Sequence, residues 1–252
     1  MRKIIFITGA TSGIGKASAE LFAKNNYDLI ITGRRNEKLE ELSNKLKNEY
    51  NIKVLVLNFD VRDKNAVKSV ISSIPDKWKN IDVLLNNAGL AVGLDNIQEG
   101  KIENWETMID TNIKGLLFVS HEIIPLMIKN KKGHIINIGS TAAKAIYEKG
   151  NVYCATKFAV DALSKTMRVD LLNQGIKVTQ VSPGAAETEF SIVRFNGDKA
   201  KAKNVYNGFK PLTAKDIADS IYYVTTLPKH VCINELEITA LAQANSNYIY
   251  KT

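Results

Sequence analysis

The fold of this chain is decided by residues 4–15, which read IIFITGATSGIG. The apolar run from Ile4 to Ile7 is typical of a short buried strand, and a helical pattern follows through Ala17 and Phe22. A glycine-rich turn between strand and helix lets the backbone approach a phosphate, and the helix N-terminus offers N–H groups to the anion. The stretch predicts a phosphate-binding strand–loop–helix unit, and an ordinary glycine-rich turn remains the alternative.

The glycine spacing separates this loop from two common nucleotide-binding loops. Gly9, Gly13 and Gly15 give the pattern G-x-x-x-G-x-G. The common dinucleotide fingerprint is G-x-G-x-x-G, and a nucleotide-hydrolysing P-loop carries Gly-Lys followed by Ser or Thr. The loop matches neither pattern.

Strands and helices alternate along the rest of the chain. The predicted strands are 4–7, 28–33, 54–57, 83–86, 135–138, 178–181 and 236–238, and the main helices are 36–50, 66–74, 104–129, 152–173 and 214–226. Strands separated by helices predict a parallel sheet with helices on both faces. Right-handed crossovers then give an α/β fold with a doubly wound, Rossmann-type sheet. The chain shows no repeat or linker, so we expect a single domain spanning 1–252.

A motif residue lies at or just after the end of six of the predicted strands, where ligands bind in such sheets. These residues are Gly9, Arg34, Asp60, Asn86, Ser140 and Pro183. The six strand ends are therefore expected to meet at one cleft.

A possible proton-handling pair lies on the helix predicted at 152–173. Tyr153 and Lys157 are four residues apart and so share one helix face, and Ser140 precedes the tyrosine by thirteen residues. A free tyrosine has a pKa near ~10, which a neighbouring positive charge lowers. Such a tyrosine could exchange a proton with an alcohol or carbonyl oxygen, to which Ser140 could also donate. Taken alone, the pair would be better interpreted as a solvated surface pair.

The end of the second predicted strand indicates the cofactor. An acidic residue at this place would bind the ribose 2′-hydroxyl of NAD. The chain instead has Arg34 and Arg35, whose guanidinium groups suit a 2′-phosphate. Surface arginines at a helix start are the less favoured interpretation, because cations are unfavourable near a helix N-terminus. We therefore predict NADP(H).

Composition is typical of a globular enzyme. The chain has 252 residues, 45% hydrophobic and 24% charged, and no apolar stretch approaches the ~20 residues of a membrane span. Cys154 and Cys232 suggest no disulfide framework, so a cytoplasmic location is expected.

The net charge of +8 is spread over dispersed lysines, which favours a solvated surface over a nucleic-acid site. The three histidines, His121, His134 and His230, lack metal-ligand spacing, so no metal is expected.

Taken in order, these motifs resemble the short-chain dehydrogenase/reductase family over nearly the whole chain. The matching residues are Thr8 to Gly15, Asp60-Val61, Asn86-Asn87-Ala88-Gly89, Asn112, Ser140, Tyr153 with Lys157, and Pro183-Gly184. The resemblance implies direct hydride transfer between the nicotinamide of NADP(H) and a small alcohol or carbonyl substrate. Tyr153 would supply or take the proton.

The resemblance also assigns residue roles. The implied catalytic residues are Asn112, Ser140, Tyr153 and Lys157. The implied cofactor contacts are Gly9, Thr11, Ser12, Gly13, Ile14, Gly15, Arg34, Arg35, Asp60, Val61, Asn87, Ala88, Gly89, Tyr153, Lys157, Pro183, Gly184 and Thr188. Asn112 would hold a water of the proton relay, and Lys157 would bond the nicotinamide ribose.

The segment 189–195 resembles NADP-dependent 3-hydroxy acid dehydrogenases, which act on serine, allo-threonine or 3-hydroxypropionate and are typically homotetramers. Substrate contacts would be Ser140, Tyr153 and Arg194, whose guanidinium could bind a carboxylate, although an ordinary surface arginine is an equal alternative. The subgroup often has a glycine pair where this chain has Ala186 and Glu187. A carboxylate there would repel an acidic substrate unless it is turned away. A neutral ketone or aldehyde, or an NADP-binding regulator without turnover, therefore remains open.

Two segments have expected roles outside these motifs. Residues 190–211 are polar and weakly periodic, and we expect a lid over the substrate. The tail 240–252 has no assigned partner, and packing across a subunit interface is one expectation.

Overall fold

The computed structural model describes residues 2–252. Its strands are β1 Ile4–Ile7, β2 Asp28–Gly33, β3 Val54–Asn58, β4 Val83–Asn86, β5 His134–Ile138, β6 Lys177–Pro183, β7 Ala186–Glu187, β8 Leu212–Thr213 and β9 Glu235–Ile238. Its α-helices are α1 Gly13–Lys24, α2 Asn36–Tyr50, α3 Lys64–Ser72, α4 Ile102–Ile109, α5 Leu116–Lys129, α6 Asn151–Asp170, α7 Glu189–Arg194, α8 Lys199–Asn204 and α9 Ala214–Thr226.

Seven strands form one parallel sheet in the order β3-β2-β1-β4-β5-β6-β9. β1 lies inside the sheet, where Ile5 pairs with Leu29 of β2 on one side and with Val83 of β4 on the other. The strand order reverses between β1 and β4, which is where ligands bind in doubly wound sheets. The predicted single-domain, doubly wound α/β fold is confirmed.

Apolar side chains on both faces of the sheet build the core. Successive residues of a strand point to opposite faces, so Ile5 and Ile7 pack in one layer while Phe6 packs in the other. The first layer includes the contact between α1 and α9, and the second includes that between α3 and α5. None of the helices in residues 2–252 has the length and apolar character needed to cross a membrane.

The long helix predicted at 104–129 differs from expectation in its middle. It begins at Ile102, and its α-helical parts α4 and α5 are joined by a π-helical turn, Asp110–Gly115. Such turns insert one residue into the helical repeat and are frequent at functional sites. Apolar periodicity predicts the helix but not the insertion, because the pattern on either side of the turn stays helical.

A second difference concerns the segment 190–211, which has more regular structure than its polar sequence suggests. It contains most of α7 and all of α8. Thr188 accepts a hydrogen bond from the Phe190 backbone and caps α7, while Asp198 accepts one from the Lys201 backbone and caps α8. N-terminal capping by side chains, rather than apolar periodicity, starts both short helices.

His134 at the start of β5 should make the fold sensitive to acid. Burial, aided by the charge of Lys177, lowers the pKa of His134 to about 4. The unfolded chain binds a proton below about pH 6.5, whereas the folded chain does so only below about pH 4. We therefore expect this residue to reduce the free energy of unfolding by up to ~3 kcal/mol as the pH falls through that window.

Urea unfolding across that pH range measures the effect. His134→Gln should flatten the pH dependence of the free energy of unfolding, whereas His230→Gln, which changes an exposed histidine, should leave it as it is. Equal pH dependence in the His134 variant and the native chain would contradict the prediction.

Candidate active site

One cleft, with a volume of about 600 Å³, opens at the carboxyl edge of the sheet. Five of the six predicted strand-end residues line it, namely Gly9, Arg34, Asp60, Ser140 and Pro183. The sixth, Asn86, lies beneath the cleft, where its amide donates to Ser120 and Asn137. Its neighbour Asn87 lines the cleft instead. All predicted cofactor, catalytic and substrate residues line this cleft except Gly15 and Asn112.

The residues that directly follow β4 hold the glycine loop in place. The Asn87 amide donates to the carbonyls of Thr8 and Gly9, and the Thr8 hydroxyl accepts from the backbone of Asn87 and Ala88. Gly9 has φ +68°, a left-handed conformation that favours glycine. A Cβ at Gly15 would run into the Gly9 carbonyl. Gly15 therefore lets the helix approach the loop and does not itself face the cleft.

Asn112 lies on the π-helical turn, behind the cleft wall. Its amide donates to the Leu90 carbonyl at 2.8 Å and to the Thr156 hydroxyl at 3.0 Å, and its carbonyl accepts from the Leu90 backbone at 2.9 Å. The side chain thus joins the loop after β4 to α6, the helix that carries Tyr153. The Asn112 side chain is buried and bonded to the backbone of Leu90.

Ser140, Tyr153 and Lys157 meet at the centre of the cleft. Ser140 lies close enough to Tyr153 to lower the pKa of that tyrosine, and its hydroxyl accepts from the Ala142 backbone at 3.1 Å. The ammonium of Lys157 lies 5.9 Å from the Tyr153 ring centroid and donates to the Ile138 carbonyl at 2.8 Å. The three side chains expected together from the sequence are thus neighbours.

The electrostatics of Tyr153 differ from the sequence expectation, which was a pKa lowered by Lys157. Burial raises the pKa of Tyr153, and the largest effect opposing it is the positive charge of Arg194, followed by the effect of the nearby Ser140 hydroxyl. Burial also lowers the pKa of Lys157 to about 8. Desolvation, which cannot be read from helix spacing, disfavours the charged forms of both groups.

Arg194 of α7 covers the tyrosine. Its guanidinium carbon lies 4.9 Å from the Tyr153 ring centroid and 5.3 Å from that of Phe190, and one Nη donates to the Tyr147 hydroxyl. Its Nε is shielded from solvent and has no hydrogen-bond partner in the described part of the chain. A buried donor without an acceptor is costly, so this nitrogen is suited to an anionic group entering the cleft.

The two arginines after β2 lie at the other end of the cleft, and each contacts a carboxylate. An Nη of Arg34 lies 3.8 Å from Asp60, and an Nη of Arg35 lies 2.9 Å from Glu189. Burial would raise the pKa of Asp60, but hydrogen bonds from Arg62 and the charges of Arg62 and Arg34 outweigh it and hold that pKa below its usual range.

Glu187, whose charge argued against an acidic substrate, does not line the cleft. It lies on β7, which pairs with β8, and its side chain is exposed to solvent. The carboxylate is therefore turned away from the space beside Tyr153 and Arg194, which removes the objection to an anionic substrate.

A family comparison agrees with this arrangement. The model of the short chain dehydrogenase family matches residues 3–198. The chain belongs to the short-chain dehydrogenase family. Like the sequence motifs, the match spans the cofactor loop, the Ser140–Tyr153–Lys157 group and α7.

Close relatives of this short-chain dehydrogenase have named activities. It is 45% identical over 242 residues to an NADP-dependent 3-hydroxy acid dehydrogenase of Salmonella typhi, covering 96% of each chain. It is 44% identical over 249 residues to sulfoacetaldehyde reductase 2 of Chromohalobacter salexigens, covering 98% of each. Among solved structures, the closed form of a serine dehydrogenase with NADP+ matches it with a TM-score of 0.92 and 42% identity, covering 99% of each chain.

Several residues of this short-chain dehydrogenase cleft carry no sequence signal. Tyr147 contacts Arg194 and belongs to no sequence motif, whereas Phe190, which also contacts it, falls in the segment 189–195 already noted for its resemblance. The C-terminal tail also reaches the cleft, where Gln243 accepts from the Ala185 backbone at 2.8 Å and Ser246 donates to Thr141 at 3.0 Å. These contacts lie within one chain, whereas the sequence suggested only a subunit interface for the tail.

Proposed function

We propose that this short-chain dehydrogenase oxidises small 3-hydroxy acids with NADP+, or reduces the corresponding carbonyl compounds with NADPH. The observation that carries the proposal is the place of Arg194. Its guanidinium lies over Tyr153, and its buried Nε has no acceptor among residues 2–252. A substrate carboxylate held by this group would have its neighbouring carbon chain beside the Tyr153 hydroxyl.

The residues at the other end of the cleft fit the phosphates of NADP. Gly9 and Gly13 have φ values of +68° and +51°, and the loop they form leads into the N-terminus of α1. Arg34 and Arg35 provide guanidinium groups suited to the 2′-phosphate. NADP-dependent relatives support the same cofactor. When bound, the nicotinamide supplies the hydride exchange.

We assign the proton transfer to Tyr153. In oxidation its phenolate takes the proton of the substrate hydroxyl, and in reduction its hydroxyl returns it. Ser140, which lies beside Tyr153 in the cleft, orients the same substrate oxygen. Lys157 and Asn112 support these two residues. Lys157 donates to the Ile138 carbonyl, and Asn112 connects α6 to Leu90.

A substrate panel tests the proposal by following NADPH absorbance. The panel contains serine, allo-threonine, 3-hydroxypropionate, sulfoacetaldehyde and matched neutral alcohols and aldehydes. Sulfoacetaldehyde is included because its sulfonate is also an anion near a carbonyl and because a relative is named for it. Preference for the anionic compounds is expected from Arg194. Preference for the neutral compounds would support the alternative of a neutral ketone or aldehyde, and binding of NADP+ without turnover would support a regulator.

Reversing the charge of Arg34 should change cofactor choice. Arg34→Asp replaces a donor for the 2′-phosphate with a repelling carboxylate, so the Michaelis constant for NADP+ should rise about 10- to 100-fold. The constant for NAD+ should change far less. Lys68→Asp is the matched control, because it reverses an exposed charge on α3 outside the cleft. Equal effects of Arg34→Asp on both cofactors would rule out the 2′-phosphate role.

We further propose a homotetramer in the cytoplasm. Exposed apolar side chains support association, among them Leu117 of α5 and Phe158 and Val169 of α6. Cys154 and Cys232 are free thiols, which suits a reducing compartment. Light scattering coupled to size exclusion tests the assembly.

The segment 190–211, whose Phe190, Arg194 and Tyr206 line the cleft, acts as the substrate lid in this proposal.

A further inference from the structure

Glu189 lies at the cofactor end of the cleft, although it begins α7, whose other residues belong to the proposed lid. It is the first residue of α7 and directly follows the capping Thr188. Its Oε2 accepts from Arg35 at 2.9 Å, and its Oε1 lies 3.4 Å from the ammonium of Lys38. Ser12 of the glycine loop also lowers the pKa of this carboxyl. Two cations from the nucleotide-binding half of the fold therefore converge on the carboxylate that begins α7.

The cationic partners of Glu189 lie where a cofactor phosphate is expected to bind. Arg35 also donates to the Thr11 hydroxyl, at 3.2 Å from Nε and 2.8 Å from Nη2, so its guanidinium is aimed at the glycine loop. A carboxylate and a phosphate are both anions that accept from the same faces of a guanidinium. Burial would raise the pKa of Glu189, but the hydrogen bond and charge of Arg35 hold that pKa below its usual range. The side chain is thus an anion at neutral pH.

We propose that Glu189 competes with the 2′-phosphate of the cofactor for Arg35 and Lys38. The inference rests on the proposed use of NADP. It makes Glu189 a specificity-determining residue. The 2′-phosphate of NADP must displace the Glu189 carboxylate, whereas NAD has no 2′-phosphate and leaves the carboxylate in place.

α7 connects Glu189 at the cofactor end of the cleft with Arg194 at the substrate end. Phe190, the next residue, packs against Tyr153 with ring centroids 5.6 Å apart, and Arg194 at the end of the helix covers the same ring. The pairs of Glu189 with Arg35 and Lys38 hold the start of this six-residue helix. Displacing the carboxylate therefore removes one set of contacts from the helix that carries the proposed substrate-binding arginine, while the Thr188 cap remains.

Calorimetric binding of adenosine 2′,5′-bisphosphate and of 5′-AMP to the full chain tests the inference without turnover. The pairs of Glu189 are partly exposed, and such pairs contribute little, so Glu189→Gln should tighten bisphosphate binding by about two- to fivefold. Binding of 5′-AMP should stay unchanged. Glu148→Gln is the matched control, since Glu148 also lines the cleft but pairs with Lys149. Unchanged or weaker bisphosphate binding in Glu189→Gln would overturn the proposal.

A double variant separates competition from a general charge effect. In an Arg35→Gln background, Glu189→Gln should tighten bisphosphate binding less than in the native background, because only Lys38 is left to share. A gain of the same size in both backgrounds would argue against competition for Arg35. If the native chain does not prefer the bisphosphate over 5′-AMP, the proposed NADP specificity fails. A clear preference without a Glu189→Gln effect refutes only the competition.

Hydrogen exchange gives a readout of the link to α7. Adenosine 2′,5′-bisphosphate should raise amide exchange across residues 189–195 in the native chain, and 5′-AMP should not. Glu189→Gln should show the raised exchange without any nucleotide. Unaltered exchange in all of these samples would refute the link between the phosphate site and the lid helix.

Discussion

Tyr153→Phe should lower kcat by about 10²- to 10⁴-fold, the range typical of a lost general acid or base. The change removes only the hydroxyl, and the phenyl ring keeps its packing against Phe190 and under Arg194. Cofactor binding should therefore persist in the variant. Initial rates with saturating NADP+ and a 3-hydroxy acid measure the first effect, and calorimetry with NADP+ measures the second.

A matched tyrosine distinguishes this role from a general effect of losing a phenol. Tyr223→Phe makes the same chemical change on the exposed surface of α9, away from the cleft, and should keep full activity. Turnover in Tyr153→Phe within a few-fold of the native rate would remove Tyr153 from the mechanism. Loss of NADP+ binding in the same variant would mean that the side chain positions the cofactor.

Arg194→Met should lower kcat/KM for 3-hydroxy acids by roughly 10²-fold, because a charge-assisted contact with the carboxylate is lost in a buried site. A neutral alcohol of similar size should lose much less. Arg194→Lys keeps the charge but not the bidentate geometry, so its kcat/KM should lie between those of the native chain and Arg194→Met. An equal loss for charged and neutral substrates would show that Arg194 supports the fold of the lid and does not recognise a carboxylate.

The pH profile of Arg194→Met provides a second test with a defined sign. The charge of Arg194 is the largest effect opposing the burial that raises the Tyr153 pKa. Its removal should raise this pKa further, so the rising limb of kcat/KM for oxidation should move to higher pH. Lys199→Met on α8 removes a charge from the same segment outside the cleft and should leave the limb in place. An unmoved limb in Arg194→Met would contradict the assigned interaction.

The sequence determined the fold and the membership of the cleft because both depend on local patterns. The apolar run at β1, the glycine spacing and the alternation of strands and helices specify backbone conformation over short stretches. Once the sheet is parallel, its carboxyl edge must collect the residues that follow each strand. Gly9, Ser140 and Pro183 could therefore be placed together without coordinates.

Only the tertiary structure decided how these residues interact. The contact of Glu189 with Arg35 joins residues 154 positions apart, and Arg194 reaches Tyr153 from a helix whose start depends on the Thr188 cap. No periodicity encodes such pairs, because they arise from how separate elements pack. Desolvation likewise follows from packing, which is why the sequence predicted a lowered Tyr153 pKa whereas burial in the folded chain raises it.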